Sequence, residues 1–167
     1  MHTGFSLLED RMKKLEEKLG YVFQDKELML HALTHSSYAN EHRSAGLTSN
    51  ERLEFLGDSV LGMVVADYLF RIHGNMPEGE LTRTRAALVC EGSLHEVAKT
   101  LGLGDYLRLG RGEERCGGRT RPSILADATE ALLAAVYLDG GLTPARAIIQ
   151  KFILDKEQEK AVDRDYK

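Results

Sequence analysis

The chain has 167 residues, of which 43% are apolar and 29% charged, and its formal net charge is −4. This length and composition are those of one ordinary globular domain with a sizeable core. The negative net charge argues against a dedicated nucleic-acid-binding module, which is usually basic because its affinity comes from neutralising phosphates, but it is compatible with a metal site built from carboxylates.

The first elements predicted along the chain are two helices. Residues 6–19 carry three leucines and a methionine at helical spacing and end before Gly20, a residue type that commonly stops helices. Asp25 is expected to cap a second helix over residues 26–32, because its carboxylate can accept a hydrogen bond from a free backbone amide. Residues 40–46 are polar and predict a loop.

A long apolar helix is predicted next. Thr48–Glu51 has the form of a capping box, and the apolar residues that follow it continue to about Ile72. Gly74–Pro77 breaks this helix. Because proline is tolerated in a first helical turn, another helix is expected from Glu78 to about Cys90.

The second half of the chain continues the helical pattern. A short helix is expected from Ser93, and residues 111–122 are rich in Gly and Arg and predict a loop. Ser123–Leu138 predicts a helix with Ser123 as its cap, and Thr143–Pro144 begins a last helix. From about Asp155 the chain loses its apolar period, as a linker does. No segment shows clean strand alternation, so the predicted fold class is all-α.

Acidic residues interrupt two of the predicted apolar helices. Glu51, Glu54 and Asp58 lie within about 60° of one another on a helical wheel, because a helix advances about 100° per residue. Asp127 and Glu130 are three residues apart on the second helix and share a face. Buried acids are costly unless they are compensated, and Mg²⁺ prefers carboxylate oxygens. Two interpretations stay open at this point: a metal site, or surface charges paired with Arg or Lys.

The sequence also resembles a known family. Asn50–Leu61, which reads NERLEFLGDSVL, is similar to the signature of the ribonuclease III family. Other segments resemble further motifs of that family and follow in the family's order: Ala32–Ala39, Glu78–Ala86, Gly117–Arg119, Ser123–Leu132 and Tyr137–Gly141. The resemblance covers roughly residues 10–155. Pro122 and Ala134 depart from residues common in the family, but neither matches a metal position.

The resemblance implies an all-α endonuclease fold that works as a two-fold symmetric homodimer. It implies hydrolysis of double-stranded RNA with Mg²⁺, for which Mn²⁺ would substitute, giving 5′-phosphate and 3′-hydroxyl ends with two-nucleotide 3′ overhangs, as in maturation of ribosomal RNA precursors. The residues that match the family's metal positions are Glu54, Asp58, Asp127 and Glu130. The residues that match its catalytic acidic positions are Asp58, Glu130, Glu51 and Glu78.

Three further expectations concern partners and organisation. Phe55 matches an aromatic residue that the family inserts into a pocket of the partner subunit; the alternative is an ordinary core residue. Residues 1–155 are expected to form the catalytic domain, and residues 156–167 a linker toward a double-stranded RNA-binding domain that is absent from this chain. The absence of a signal peptide and of a long apolar stretch predicts a cytoplasmic protein with no membrane contact.

Several alternatives are weaker but remain open. His31 and His35 could bind zinc, and the arginines of residues 108–121 could contact phosphates or form a solvated loop. A di-metal oxygen-activating bundle would need Glu-x-x-His pairs, which the sequence lacks. A family-like domain that only binds RNA, or a natural short form without an RNA-binding domain, would share most of the motifs.

Overall fold

The computed structural model describes residues 4–159, with side chains from residue 7 onward. These residues form α-helices joined by short turns: α1 (Gly4–Leu19), α2 (Lys26–Ala32), α3 (Ser36–Glu41), α4 (Glu51–Ile72), α5 (Glu78–Val89), α6 (Glu91–Leu101), α7 (Arg111–Arg115), α8 (Pro122–Gly140) and α9 (Leu142–Ile149). A π-helical turn, Gln150–Leu154, continues α9 into residues 155–159, which are α-helical. Within residues 4–159 the one β-type pairing is an isolated bridge between Thr34 and Arg108, so the all-α prediction is confirmed.

Helix α8 lies at the centre of the fold. It packs against α2, α4, α6 and α9, and nearly every side chain from Ile124 to Val136 is buried. A helix that is apolar on all sides is expected to be surrounded in this way. Two of its acids are nevertheless held inside or beside this packing, and they define the site described below.

The crossing of α4 over α8 is unusually close because of a glycine. A Cβ atom at Gly57 would overlap the backbone carbonyl oxygen of Glu130. Only a residue without a side chain lets the two backbones approach to this distance. This contact sets Glu54 and Asp58, on either side of Gly57 in α4, next to Glu130 in α8.

One of the predicted helix caps is correct and two are wrong. The Asp25 carboxylate accepts a hydrogen bond from the Glu27 backbone amide at 3.0 Å, as expected for the cap of α2. The capping box before α4 does not form, because Thr48 hydrogen-bonds to His31 Nε2 at 3.1 Å and α4 begins at Glu51 without a side-chain cap. Ser123 is not a cap either, since α8 begins one residue earlier at Pro122.

Helices also occupy segments for which the sequence predicted loops or gave no signal. Residues 36–41 form α3 and residues 111–115 form α7. α6 begins at Glu91, two residues earlier than expected. Residues 155–159, assigned mostly to a linker, continue the preceding helix, and the rest of the predicted linker lies outside the described residues. None of the helices that the structure describes is long and apolar enough to cross a bilayer.

Candidate metal centre

The α4–α8 crossing brings three of the predicted metal ligands together. Glu54, Asp127 and Glu130 each offer one carboxylate oxygen, and these oxygens lie within 4.8 Å of one another. Their exposure falls in steps, since Asp127 is exposed, Glu54 is half-buried and Glu130 is buried. Such a cluster is open to solvent on one side and closed by the protein on the other.

Glu130 is the acid whose chemistry the fold changes most. Its side chain is only 8% exposed. Burial, a hydrogen bond with the Asp58 carboxyl and the negative charges of Asp58, Glu54 and Asp127 together raise the pKa of Glu130 to about 8. Without a cation, the raised pKa favours the protonated form of Glu130 at neutral pH.

The other two ligands are perturbed in the same direction. Burial, followed by the negative charges of Asp127, Asp58 and Glu51, raises the pKa of Glu54 above its ordinary value. Burial and the charge of Glu91 raise the pKa of Asp127, and the nearby His35 partly offsets them. A group of carboxyls that each resist ionisation because of their neighbours is the electrostatic environment that a divalent cation relieves.

The remaining predicted site residues differ in their relation to this cluster. Asp58 joins it through Glu130, as described above. Glu51 is exposed in the first turn of α4, one turn before Glu54, and acts on it through its charge. Glu78 stands apart: it is exposed at the start of α5, and its carboxylate accepts a hydrogen bond from the Thr82 hydroxyl at 2.8 Å. Within the described residues, Glu78 is not among the acids whose carboxylate oxygens converge.

Two residues near the cluster were not predicted to belong to it. Glu91, the first residue of α6, faces Asp127 closely enough to raise its pKa. His35 caps α3, and its Nδ1 accepts the Ser37 backbone amide at 3.1 Å. No spacing pattern in the sequence links Glu91 or His35 to Asp127, so sequence reasoning could not find them.

The zinc alternative is not supported by the positions of the two histidines. His31 Nε2 lies 2.8 Å from the Ser49 carbonyl oxygen, a contact in which this nitrogen must donate and cannot bind a metal. His35 lies beyond the end of α2 and has its Nδ1 in the cap of α3. The two rings therefore serve the local structure of the loops that they join.

Most arginines of residues 108–121 bind within the protein and do not form a solvated loop. Arg119 pairs with Glu114 at 2.6 Å and donates to the Gly104 and Leu107 carbonyls. Arg121 pairs with Glu113 and also donates to the Cys116 carbonyl. Arg108 donates to Thr34 and Leu30, leaving exposed Arg111 and Arg115 to face solvent.

Phe55 is not a core residue of the single chain. Its side chain is 77% exposed, although it lies between the half-buried Glu54 and Leu56. Further along α4, Met63 and Phe70 are also exposed, at positions that share a helical face with Phe55. This apolar stripe on α4 starts beside the acidic cluster, and exposed apolar surface of this kind is typical of an interface.

The fold and the site together define a class of protein: an all-helical domain whose functional centre is a set of converging carboxylates. The three clustered oxygens are hard ligands of the type that Mg²⁺ and Mn²⁺ prefer. Their spacing and their mutual repulsion both fit one divalent cation. The residues present therefore fit the metal that the family resemblance implies.

Comparisons with known proteins identify the family. The model of a family described as ribonuclease-III-like matches residues 25–157. Ribonuclease 3 of Caldanaerobacter subterraneus subsp. tengcongensis is 54% identical over 156 residues, which are 92% of this chain and 68% of that protein. Ribonuclease 3 of Oceanobacillus iheyensis is 58% identical over 130 residues, 78% of this chain and 57% of that protein. The chain belongs to the ribonuclease-III-like family.

A solved structure agrees with this assignment. A nuclease domain of ribonuclease III from Campylobacter jejuni has a TM-score of 0.80 at 45% identity, over 85% of this chain and 95% of that one. The resemblance expected from the sequence motifs, the helical fold and the enzyme class, a ribonuclease III endonuclease, are thereby confirmed. The family also implies a divalent metal, in accord with the carboxylate cluster.

Proposed function

We propose that the chain is the catalytic part of a Mg²⁺-dependent endonuclease that hydrolyses phosphodiester bonds in double-stranded RNA. The observation that carries the proposal is the convergence of Glu54, Asp127 and Glu130 in a chain of this family. Mn²⁺ would substitute for Mg²⁺, because both are hard divalent ions that carboxylates bind. Maturation of ribosomal RNA precursors in the cytoplasm is the expected setting.

The four acids have distinct tasks in this proposal. Glu54, Asp127 and Glu130 hold the cation, and Asp58 keeps Glu130 in place through the hydrogen bond that they share. When bound, Mg²⁺ lowers the pKa of water and stabilises negative charge on phosphate oxygens. Glu130 must be ionised to hold the cation, so filling the site would release its proton to solvent.

Glu51 and Glu78 have less direct roles. Glu51 is exposed one turn from Glu54 and would add negative charge at the edge of the site. Glu78 lies away from the cluster in one protomer, so a catalytic task for it would require the assembled dimer. Both would shape the approach of the substrate to the cation.

The homodimer is part of the proposal. The Campylobacter jejuni nuclease domain has structural flexibility in a region that is involved in its dimer formation. The exposed ring of Phe55 is suited to a two-fold interface, because symmetry would bury both copies at once. Two cation sites related by that axis would each cut one strand and leave two-nucleotide 3′ overhangs. Residues 1–155 would form this domain, and residues 156–167 would lead toward a double-stranded RNA-binding domain.

The test is cleavage of a long RNA duplex by the dimeric protein, at low salt, with Mg²⁺ and with EDTA. Low salt matters because phosphate contacts weaken steeply with ionic strength. We expect fragments with 5′-phosphate and 3′-hydroxyl ends in Mg²⁺ only, and none from Asp127→Asn. Glu17→Gln, on the exposed face of α1, is the matched control and should cut normally.

Three outcomes would contradict the proposal. Cleavage that survives EDTA, or that Asp127→Asn does not reduce, would remove the cation cluster from the reaction. Duplex binding without cleavage, by an intact dimer in saturating Mg²⁺, would favour a module that only binds RNA. Cleavage of single-stranded RNA at the same rate would show that the duplex is not the preferred substrate.

A further inference from the structure

A cleft on another part of the surface carries an excess of positive charge. It lies between α1, α2 and the turn that follows α6, and its volume is about 570 Å³. Four of its lining side chains are cationic, Arg11, Lys14, Arg108 and Arg119, and one is acidic, Asp105. This local excess occurs in a chain whose net charge is −4, and none of the four clustered acids lines the cleft.

Three of these cations form no ion pair within residues 7–159. Arg119 is paired with Glu114, outside the cleft. No carboxylate in the described part of the chain forms an ion pair with Arg11, Lys14 or Arg108. Arg108 is half-buried and lies over the Tyr38 ring, 5.1 Å from its centroid, so the ring partly stabilises its charge but no anion is paired with it. An anion bound in the cleft would supply that partner.

The guanidinium groups are already held in place. Arg108 donates from Nε to the Thr34 hydroxyl at 2.8 Å and from Nη2 to the Leu30 carbonyl at 3.2 Å. Arg11 donates to the carbonyl oxygen of Asp105. Because these bonds fix the donors before any ligand arrives, little side-chain entropy is lost when an anion binds.

The cleft also offers a surface for a flat ring. Tyr106 lies at its wall, with Arg11 5.9 Å and Lys18 5.6 Å from the ring centroid, and the exposed Leu8 and half-buried Leu30 add apolar surface to the cleft. The volume is in the range of pockets that hold small ligands. A rigid RNA duplex, about 20 Å or more across, is too wide to enter a pocket of that size.

We propose that this cleft binds a nucleoside phosphate. The phosphate lies against Arg11, Lys14 and Arg108, and the base lies on the apolar surface beside Tyr106. The same chemistry is offered by a free nucleotide and by the unpaired end of an RNA strand. The cleft is a second site, separate from the carboxylate cluster, and its occupation requires neither a divalent cation nor cleavage.

The experiment is a titration of the protein in EDTA with adenosine 5′-monophosphate, followed by backbone amide chemical shifts. EDTA makes the result independent of the cation site and of the proposed cleavage. We expect saturable shifts confined to residues 8–14, 29–33 and 105–108. Adenosine should not bind, and inorganic phosphate should bind more weakly. A 5′-phosphorylated dinucleotide that binds more tightly than the monophosphate would identify a strand end as the natural occupant, and equal affinity would identify the free nucleotide.

Charge-removing variants give the decisive comparison. Arg11→Gln and Lys14→Gln are exposed substitutions, and each should weaken binding about tenfold, since each removes a charge-assisted contact. Lys13→Gln, on the next position of the same exposed helix, is the matched control and should leave affinity unchanged. If Lys13→Gln weakened binding equally, the loss of affinity would come from general surface charge, and the proposal would be overturned. The proposal would also be overturned if adenosine bound as tightly as adenosine 5′-monophosphate, or if the chemical-shift changes were located at the carboxylate cluster.

Discussion

Replacing Glu130 by Gln separates the electrostatic effect of this acid from its size. Gln keeps the volume and the ability to hydrogen-bond Asp58 but cannot ionise. In the unfolded chain Glu130 has its ordinary pKa of 4.5, and folding raises it to about 8. The folded protein therefore binds the proton more tightly, so this group stabilises the metal-free fold most below pH 4.5, and the contribution is lost as pH rises toward 8.

The magnitude follows from the two pKa values. Each tenfold change in proton affinity corresponds to about 1.4 kcal/mol, which gives a ceiling of about 4 kcal/mol between about pH 5 and pH 8.5. Water penetration and relaxation lower such penalties, so we expect about 2 kcal/mol, or a shift of about 4–8 °C in Tm. Glu130→Gln should have nearly the parent Tm at about pH 5 and a Tm higher than the parent by that amount at about pH 8.5.

The assay is thermal unfolding of parent and variant in EDTA across this pH range. The difference between the two proteins cancels all other titrating groups, and Glu17→Gln on α1 controls for the loss of one surface charge. Glu130→Gln should also lose all Mg²⁺-dependent cleavage. If the variant is destabilised equally at both pH values, the buried-acid reasoning is refuted.

Three other predictions test neighbouring features. Binding of Mg²⁺ at neutral pH should release a proton from Glu130, and calorimetry in buffers of different ionisation enthalpy should detect it; a buffer-independent heat would contradict this. Gly57→Ala should cost about 1–3 kcal/mol in free energy of unfolding and weaken Mg²⁺ binding, since its Cβ meets the Glu130 carbonyl. Gly92→Ala, whose Cβ would meet only the Cys90 Sγ at 4.0 Å, should be nearly neutral. Phe55→Ala should leave the circular dichroism unchanged and raise the dimer Kd at least about tenfold. Val22→Ala, at another exposed apolar residue, should leave the dimer Kd unchanged, and equal sedimentation of both variants across dilution would argue against the interface.

Local patterns predicted the helices well because helix formation depends on nearby residues. α1 ends at Leu19 before Gly20, α2 carries its Asp25 cap, and α4 ends at Ile72, each as expected. The errors lie at starts where a tertiary contact competes with a local one. Thr48 hydrogen-bonds to His31 and does not cap α4. This contact depends on how α2 packs, which the residues around Thr48 in the sequence do not determine.

In the candidate site, too, helical spacing predicted which acids share a face, and helix packing decided the rest. Helical spacing placed Glu54 and Asp58 on one face, and Asp127 and Glu130 on another, but spacing says nothing about which helices cross. The crossing depends on Gly57, whose missing side chain lets α4 approach the backbone at Glu130. Burial of Glu130, and with it the raised pKa, is a consequence of that approach.

Glu91 and His35 are neighbours of the site that sequence spacing could not predict. Both lie near Asp127 only because the starts of α6 and α3 come close to the second turn of α8. Neither belongs to a spacing motif that includes Asp127, so their effect on its pKa arises from the assembled fold alone. Since Glu91 raises the pKa of Asp127 and His35 lowers it, the cation affinity of the cluster is set by residues outside it as well as by its own ligands.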